Sequence, residues 1–118
     1  MNTQCTVFKT ADYIGKRWTL VILLELYKGK GSLRYSDIKN RIPDITPKLL
    51  SARLKELEHH SIISKKVDAR QVPIRCDYAL TPAGHDFIKI IKDIKKWSLK
   101  HNIRNKYCDS QDCNKCEF

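Results

Sequence analysis

The segment from Thr46 to about His60 constrains the fold of this chain more than any other stretch of its sequence. Thr46 offers a hydroxyl that can cap a helix, and Pro47 suits the first helical position, where its missing N–H leaves no partner unsatisfied. At 100° per residue, one face of this helix carries Leu50, Leu54 and Leu57. The opposite face is small, polar and basic, with Lys48, Ser51, Ala52, Lys55 and His59. Such a helix packs on a core through one face and presents the other to a groove about 12 Å wide, the width of the DNA major groove.

The residues before this segment predict three shorter helices and one strand. In chain order these are a helix over residues 5–16, a mostly buried helix over 17–28, a strand over 32–35 and a helix over 37–41. Gly29 and Gly31 end the second helix. Ser36 is expected to cap the third helix, and Pro43 to terminate it. The segment from Thr46 is then the second helix of a helix-turn-helix.

The residues after it predict a hairpin. Residues 62–67 form its first strand and residues 68–71 its tip. The second strand, over residues 72–80, alternates in polarity, which predicts that one face is buried. The residues expected to point inward are Val72, Ile74, Cys76, Tyr78 and Leu80.

The last predicted helix is long and amphipathic. Thr81-Pro82 repeats the cap and proline start, and the helix is expected to run from Ala83 to about Arg104, roughly 33 Å. Its apolar stripe comprises Phe87, Ile90, Ile91, Ile94 and Trp97. A domain this small is not expected to cover the whole stripe, which favours a partner helix. A helix packed entirely on its own domain is the alternative.

The chain carries 23 Lys and Arg against 13 Asp and Glu, for a formal charge of +10. Residues 28–75 hold twelve of the bases and only five of the acids, so the excess coincides with the helix-turn-helix and the hairpin. A local surplus of this size indicates a polyanionic partner. A basic soluble protein without such a partner is the other interpretation.

These elements predict an α+β fold that is mainly α, a winged helix-turn-helix with terminal dimerisation helices. We assign residues 1–104 to this DNA-binding and dimerisation domain, and residues 105–118 to a cysteine-rich C-terminal tail. The N-terminus lacks a basic region followed by an apolar run, and no stretch is apolar enough for a bilayer. We therefore expect a cytoplasmic protein with no membrane partner.

Several spaced motifs resemble the HxlR-type regulators, relatives of the MarR group. They are residues 14–20 (Ile-Gly-Lys-Arg-Trp-Thr-Leu), 33–38 (Leu-Arg-Tyr-Ser-Asp-Ile), 45–58 (Ile-Thr-Pro-Lys-Leu-Leu-Ser-Ala-Arg-Leu-Lys-Glu-Leu-Glu), 72–73 and 78–84 (Tyr-Ala-Leu-Thr-Pro-Ala-Gly), together with Cys5. The resemblance implies a homodimeric transcription factor whose terminal helices make the dimer contacts and whose recognition helix starts at Thr46. The chain departs from the family pattern at Thr6, where a proline is usual, and at Gly15-Lys16-Arg17, since the family usually has two glycines before Lys-Trp.

The candidate DNA contacts fall on the helix-turn-helix and on the hairpin, the wing. Lys can donate to guanine, Ser to several bases, and an Ala methyl can contact a thymine methyl, so the recognition helix is expected to contact base edges. Arg53 either reaches a phosphate or braces the helix against the wing. The wing residues, with Lys66, suit phosphates or the minor groove, and a solvated surface is the alternative. The full set is Ser36, Lys39, Thr46, Lys48, Ser51, Ala52, Arg53, Lys55, Lys65, Arg70, Gln71 and Arg75.

The dimer interface is assigned to Phe8, Phe87, Ile90, Ile91, Ile94 and Trp97. Two such subunits would bind a pseudo-palindromic double-stranded operator.

Five cysteines suggest thiol chemistry or metal binding more than a disulfide framework. Cys5 is the redox-sensor candidate, because some members of the resembled family use an N-terminal cysteine in this way; an inert thiol is the alternative. Cys76 is expected to be a core thiol. Cys108, Cys113 and Cys116 have a spacing that suits Zn²⁺, although a structural zinc site usually needs four ligands. A reversible disulfide or a tail without function are the alternatives, and no cofactor is required.

No constellation of residues predicts an enzyme. The four histidines lack partners at catalytic spacing, and there is no nucleophile elbow or phosphate-binding glycine loop. The sequence therefore predicts a DNA-binding regulator, with a thiol or redox response as the candidate signal. A winged helix used only for protein contacts, or a metal-responsive regulator, remain as alternatives.

Overall fold

The computed structural model describes residues 2–101, within which five helices surround a small sheet. The order is α1 (Thr6–Ile14), α2 (Thr19–Lys28), β1 (Leu33–Arg34), α3 (Tyr35–Arg41), α4 (Pro47–His59), β2 (Ile63–Asp68), β3 (Arg75–Leu80) and α5 (Pro82–His101). Helices α3 and α4 form the helix-turn-helix, and β2 and β3 form the wing. The predicted class, a mainly helical winged helix-turn-helix, is confirmed. No helix among these residues combines the length and the apolar character that a membrane span requires.

The sheet is antiparallel, with strand order β1-β3-β2. Leu33 and Lys65 both pair with Tyr78, and the β2–β3 ladder runs from Ile63–Leu80 to Asp68–Arg75. Because β1 leads directly into α3, its pairing with β3 attaches the wing to the helix-turn-helix.

Strand β3 begins at Arg75 and not at Val72, so part of the predicted inward alternation is wrong. Val72 is 99% exposed and Ile74 is 62% exposed. Both precede the last pair of the β2–β3 ladder, where no partner strand or core covers them. Pro73 between them has no N–H to donate to a ladder. Of the five residues expected to point inward, Tyr78 is buried, and Cys76 and Leu80 are partly buried against the core.

The core lies between α2, the helix-turn-helix, the sheet and the first half of α5. Its fully enclosed side chains are Ile22, Leu23, Leu26, Ile38, Ile45, Leu50, Leu54, Leu57 and Ile63. Helix α5 adds Ile88 and Ile91.

The start of α5 is fixed by Thr81 and Gly84. The Thr81 hydroxyl accepts the N–H of Gly84 at 3.1 Å and donates to the carbonyl of Ser61 at 2.7 Å, which confirms the predicted cap. A Cβ on Gly84 would lie 2.3 Å from the carbonyl oxygen of Ile62. Only glycine therefore allows α5 to lie this close to the chain entering the wing.

Helices α1 and α2 are connected by residues 15–18, which we call the joint. Helix α2 was expected to begin at Arg17 but begins at Thr19, because Trp18 adopts a left-handed conformation with φ 80°. A bulky side chain rarely adopts this conformation, and it persists only where surrounding contacts hold it. The joint therefore needs support from the rest of the fold.

Candidate nucleic-acid interface

The start of α4 has the predicted geometry. Thr46 is extended, with φ −75° and ψ 151°, and its Oγ1 accepts the N–H of Leu49 at 3.2 Å. Pro47 occupies the first turn. This cap satisfies one of the N–H groups that a helix start leaves without a partner.

The two faces of α4 separate as the sequence indicated. Leu50, Leu54 and Leu57 are at most 1% exposed, and they fix the helix to the core. The opposite face is solvent-exposed and consists of Lys48, Ser51, Ala52 and Lys55. Its side chains are short or flexible and carry two positive charges, so a polyanion can approach the helix along this face.

Tyr35 connects α3 to the start of α4. Its hydroxyl donates to the carbonyl of Pro47 at 3.2 Å and accepts from the Ser51 hydroxyl at 3.4 Å. Ser51 thus lies on the exposed face but is also held by the neighbouring helix. Tyr35 was not among the predicted site residues, although it stands in one of the motifs that carry the family resemblance.

Ser36 and Lys39 differ from expectation in their local roles. The predicted cap at Ser36 is wrong: α3 was expected to begin at Asp37 but begins two residues earlier at Tyr35, and its cap position is Arg34, whose N–H donates to the Asp37 carboxylate at 3.1 Å. Ser36 lies exposed in the first turn. The Lys39 ammonium donates to the carbonyl of Pro43 at 3.2 Å, so it closes the turn that follows α3.

The charges of the wing are partly compensated within it. The Arg70 Nε lies 3.2 Å from the Asp68 carboxylate, which also accepts from Gln71 at 3.4 Å. The Arg75 Nε lies 2.8 Å from Asp77. These hydrogen bonds from Arg70 and Arg75 hold the pKa of Asp68 and of Asp77 below the ordinary value for aspartate. Both carboxylates therefore stay charged at neutral pH.

Lys65 and Lys66 make the wing net positive in spite of these pairs. Both are exposed on β2, and the Lys65 ammonium lies 5.9 Å from the centre of the Tyr78 ring. The positive potential of the wing therefore comes mainly from the lysines of β2.

A cleft of about 460 Å³ brings the predicted regions together. Residues 34–36 line one side and residues 71–76 line the other. Ser36, Gln71 and Arg75 of the predicted set therefore share one cleft. Tyr35, which also lines it, contacts α4, so the exposed face of α4 continues into the wing.

The flank of α4 opposite this cleft is held by the joint and the end of α1. The Arg53 Nε donates to the carbonyl of Arg17 at 3.0 Å, Glu56 pairs with Lys16 at 2.6 Å, and the His60 ring stacks on Tyr13 with centroids 3.8 Å apart. Arg53, Glu56 and His60 are three and four residues apart, which places them on one side of the helix. The structure thus shows Arg53 as a brace, as one of the two predicted alternatives had it, but the brace is to the joint and not to the wing.

Exposed apolar side chains lie on α1, α2 and α5, the helices outside the helix-turn-helix and the wing, and we call this set the apolar surface. Its exposed members are Val7 (74%), Phe8 (37%), Val21 (43%), Ile90 (49%), Ile94 (44%) and Trp97 (56%). Phe87 is partly buried. Ile91 was also assigned to this interface, but it is 7% exposed, because it packs with Ile88 in the core of its own chain. Val21 was missed, since its helix was taken as mostly buried.

The cysteines occupy different surroundings. Cys5 is exposed at the position before α1, and Cys76 is partly buried beside the cleft. Cys108, Cys113 and Cys116 lie outside the described residues. Among residues 2–101, no three His, Cys, Asp or Glu side chains are grouped as a metal site would require.

Comparisons with known proteins agree with this architecture. The chain is 36% identical over 100 residues to the uncharacterized HTH-type transcriptional regulator YvaP of Bacillus subtilis (84% of this chain and 90% of that protein). It is similar to a crystal structure of a MarR-family regulator from Porphyromonas gingivalis, with TM-score 0.74, 33% identity and coverage of 87% and 97%. It is also similar to the reduced form of the transcriptional regulator YodB from B. subtilis, with TM-score 0.73, 29% identity and coverage of 86% and 98%.

The model of the HxlR-like helix-turn-helix family matches residues 13–106, which is most of the chain and includes the whole helix-turn-helix and wing. The chain therefore belongs to the HxlR-like helix-turn-helix family of transcriptional regulators.

Proposed function

We propose that this regulator binds double-stranded DNA sequence-specifically as a homodimer and has no enzymatic activity. The observation that carries the proposal is the exposed, basic face of α4, which continues through Tyr35 into the cleft and the wing. In this arrangement α4 occupies the major groove, where Lys48, Ser51, Ala52 and Lys55 meet base edges. Thr46 and Ser36 lie at helix starts and Lys65, Arg70, Gln71 and Arg75 on the wing, where they meet the sugar-phosphate backbone.

The exposed apolar surface supports the homodimer. Phe8, Ile90, Ile94 and Trp97 are large and exposed on α1 and α5, which belong neither to the wing nor to the helix-turn-helix. A second copy that covers them leaves both recognition helices accessible. Two-fold symmetry then places those helices in successive major grooves, about 34–36 Å apart on a pseudo-palindromic operator.

A mobility-shift titration of single variants tests the DNA-binding face. Lys48→Ala or Lys55→Ala should cost on the order of 1–3 kcal/mol on the selected operator if a base contact is lost. Lys89→Ala is the matched control: it removes the same charge from an exposed site on α5, where Lys89 pairs with Asp86 at 3.4 Å. If both α4 variants bind the operator as strongly as the control, the proposed face is wrong.

Sedimentation tests the assembly. Trp97→Asp and Ile94→Asp should each give monomers that lose operator binding, because one subunit alone binds a single half-site only weakly. Lys89→Asp on the same helix should remain dimeric. A wild-type protein that sediments as a monomer at micromolar concentration would contradict the homodimer.

We further propose that Cys5 makes DNA binding responsive to thiol oxidation. Its thiol is exposed at the position before α1, two and three residues from Val7 and Phe8 of the apolar surface, so modification there would alter the dimer and the spacing of its recognition helices. The relative YodB has been solved in a form described as reduced. Operator binding before and after diamide, in wild type and Cys5→Ser, tests this proposal; equal inhibition of both proteins would exclude Cys5.

A zinc site at Cys108, Cys113 and Cys116 is the alternative signal. Metal analysis of protein purified without chelator should then give about one Zn²⁺ per chain.

A further inference from the structure

The loop that joins β2 to β3 ends in three apolar residues, 72–74, which we now call the tip of the wing, although Arg70 in the same loop and the lysines of β2 are basic. Val72 is 99% exposed and Ile74 is 62% exposed, and they flank Pro73. Isolated exposed apolar residues are ordinary, but here two β-branched side chains stand together at the end of a projecting hairpin. The rest of the described chain therefore buries almost none of Val72 and less than half of Ile74.

The tip lies beside the proposed DNA-binding face. Val72 and Ile74 line the cleft whose other side is formed by residues 34–36. Tyr35 in that cleft contacts the first turns of α4 through Pro47 and Ser51. A duplex seated on α4 would therefore approach the tip as well.

The charge around the tip identifies the kind of partner. Residues 63–80, the wing, hold the bases Lys65, Lys66, Arg70 and Arg75 and the acids Asp68 and Asp77, an excess of two positive charges. A narrow groove that has phosphates along both sides and base edges at its bottom complements such a hairpin. The lysines and arginines would face the phosphates, and the apolar tip would face the base edges. The minor groove of DNA has this character, and proteins that bind it insert apolar side chains there.

We propose that Val72 and Ile74 contact the minor groove of A·T base pairs that flank the sequence bound by α4. This inference rests on the proposed DNA-binding function and adds a specificity determinant to it. In the minor groove, G·C differs from A·T by the guanine N2 amino group. That group obstructs an apolar side chain and would lose its hydration without gaining an acceptor. Val and Ile also have restricted χ1 angles, so little side-chain freedom is lost on contact.

The test compares wild type with the double variant Val72→Ser/Ile74→Ser, on duplexes recovered by selection from a random pool. Val67→Ser is the matched control, because Val67 is 54% exposed on β2 of the same hairpin but does not line the cleft. Each A·T pair flanking the half-sites is replaced in turn by G·C and by I·C. The I·C pair lacks the N2 amino group, so its minor groove resembles that of A·T.

Wild type should bind A·T and I·C flanks alike and G·C flanks on the order of tenfold more weakly. The double variant should bind A·T flanks about as weakly as wild type binds G·C, and should discriminate little among the three. Because no charge is removed, its plot of log affinity against log salt should lie below that of wild type and parallel to it.

Three results would overturn the inference: no flank preference in wild type, full preference retained in the double variant, or an equal loss in Val67→Ser. In each of them the operator is still bound through α4, and the proposed function stands. A wild-type protein that selects no duplex from the pool would instead contradict the proposed function itself.

Discussion

Arg53 offers the sharpest test of how the recognition helix is held. Its Nε donates to the carbonyl of Arg17 at 3.0 Å, and that carbonyl immediately precedes Trp18, whose φ is 80°. The side chain is only partly buried, so its removal exposes the carbonyl to water without opening a cavity. We therefore expect Arg53→Ala to loosen the joint from α4 and to destabilise the fold, with no direct loss of a phosphate contact.

The expected loss of stability follows from the kind of hydrogen bond that Arg53 makes. A hydrogen bond from a charged donor contributes about 1.5–3 kcal/mol, and partial exposure favours the lower end, about 1.5 kcal/mol. For a folded region of about 100 residues, the entropy of unfolding near the midpoint is about 0.2 kcal/mol/K, which converts this loss to a fall in Tm of roughly 7 °C. Melting curves must be recorded at one protein concentration, because the midpoint of a dimer depends on concentration.

The matched control is Lys48→Ala, which removes a basic side chain from the exposed face of the same helix. It should weaken operator binding and leave the Tm unchanged, whereas Arg53→Ala should lower the Tm and leave the salt dependence of binding unchanged. If Arg53→Ala has the Tm of wild type and a slope of log affinity against log salt that is smaller in magnitude by about 0.9, Arg53 contacts a phosphate and does not brace the joint.

Three further outcomes are expected. Gly84→Ala should lower the Tm by the equivalent of about 1–3 kcal/mol even though alanine favours helices, since its Cβ would lie 2.3 Å from the Ile62 carbonyl oxygen; a stabilised variant in the same thermal melt would contradict this contact. Thr46→Ala should cost about 1 kcal/mol by calorimetry, because the Leu49 N–H loses its acceptor, and Thr46→Ser should restore most of that stability. Asp77→Asn should release Arg75 from its 2.8 Å ion pair, so that Arg75 can neutralise one more phosphate. The slope of log affinity against log salt should then become steeper by up to about 0.9. An unchanged salt slope would show that Arg75 makes no phosphate contact.

The elements that follow from local chemistry were predictable from the sequence. The start of α4 depends on Thr46 and Pro47, which act within one helical turn, and its two faces follow from the helical period. The start of α5 depends in the same way on Thr81 and Pro82, which cap and begin the helix. The mainly helical class and the order of the elements follow from such signals, because each of them is complete within a few residues of the chain.

The contacts that decide the roles of side chains were not predictable in this way. Arg53 reaches a carbonyl 36 residues earlier in the chain, and Tyr35 joins α3 to α4 across 12 residues. Ile91 lies on the same stripe as Ile90 and Ile94, and only the packing of α5 on α2 and the sheet determines that it is buried while they are exposed.

Local signals and long-range contacts therefore account for different features of this protein. The amino-acid sequence determined the helix-turn-helix, the basic face of α4 and the existence of the wing, because propensity, capping and periodicity act locally. The tertiary structure decided that Val72 and Ile74 are exposed at the tip of the wing, and that a brace from the joint holds α4. The first depends on where β3 begins to pair with β2, and the second joins residues 36 positions apart in the chain, so a local pattern carries no record of either.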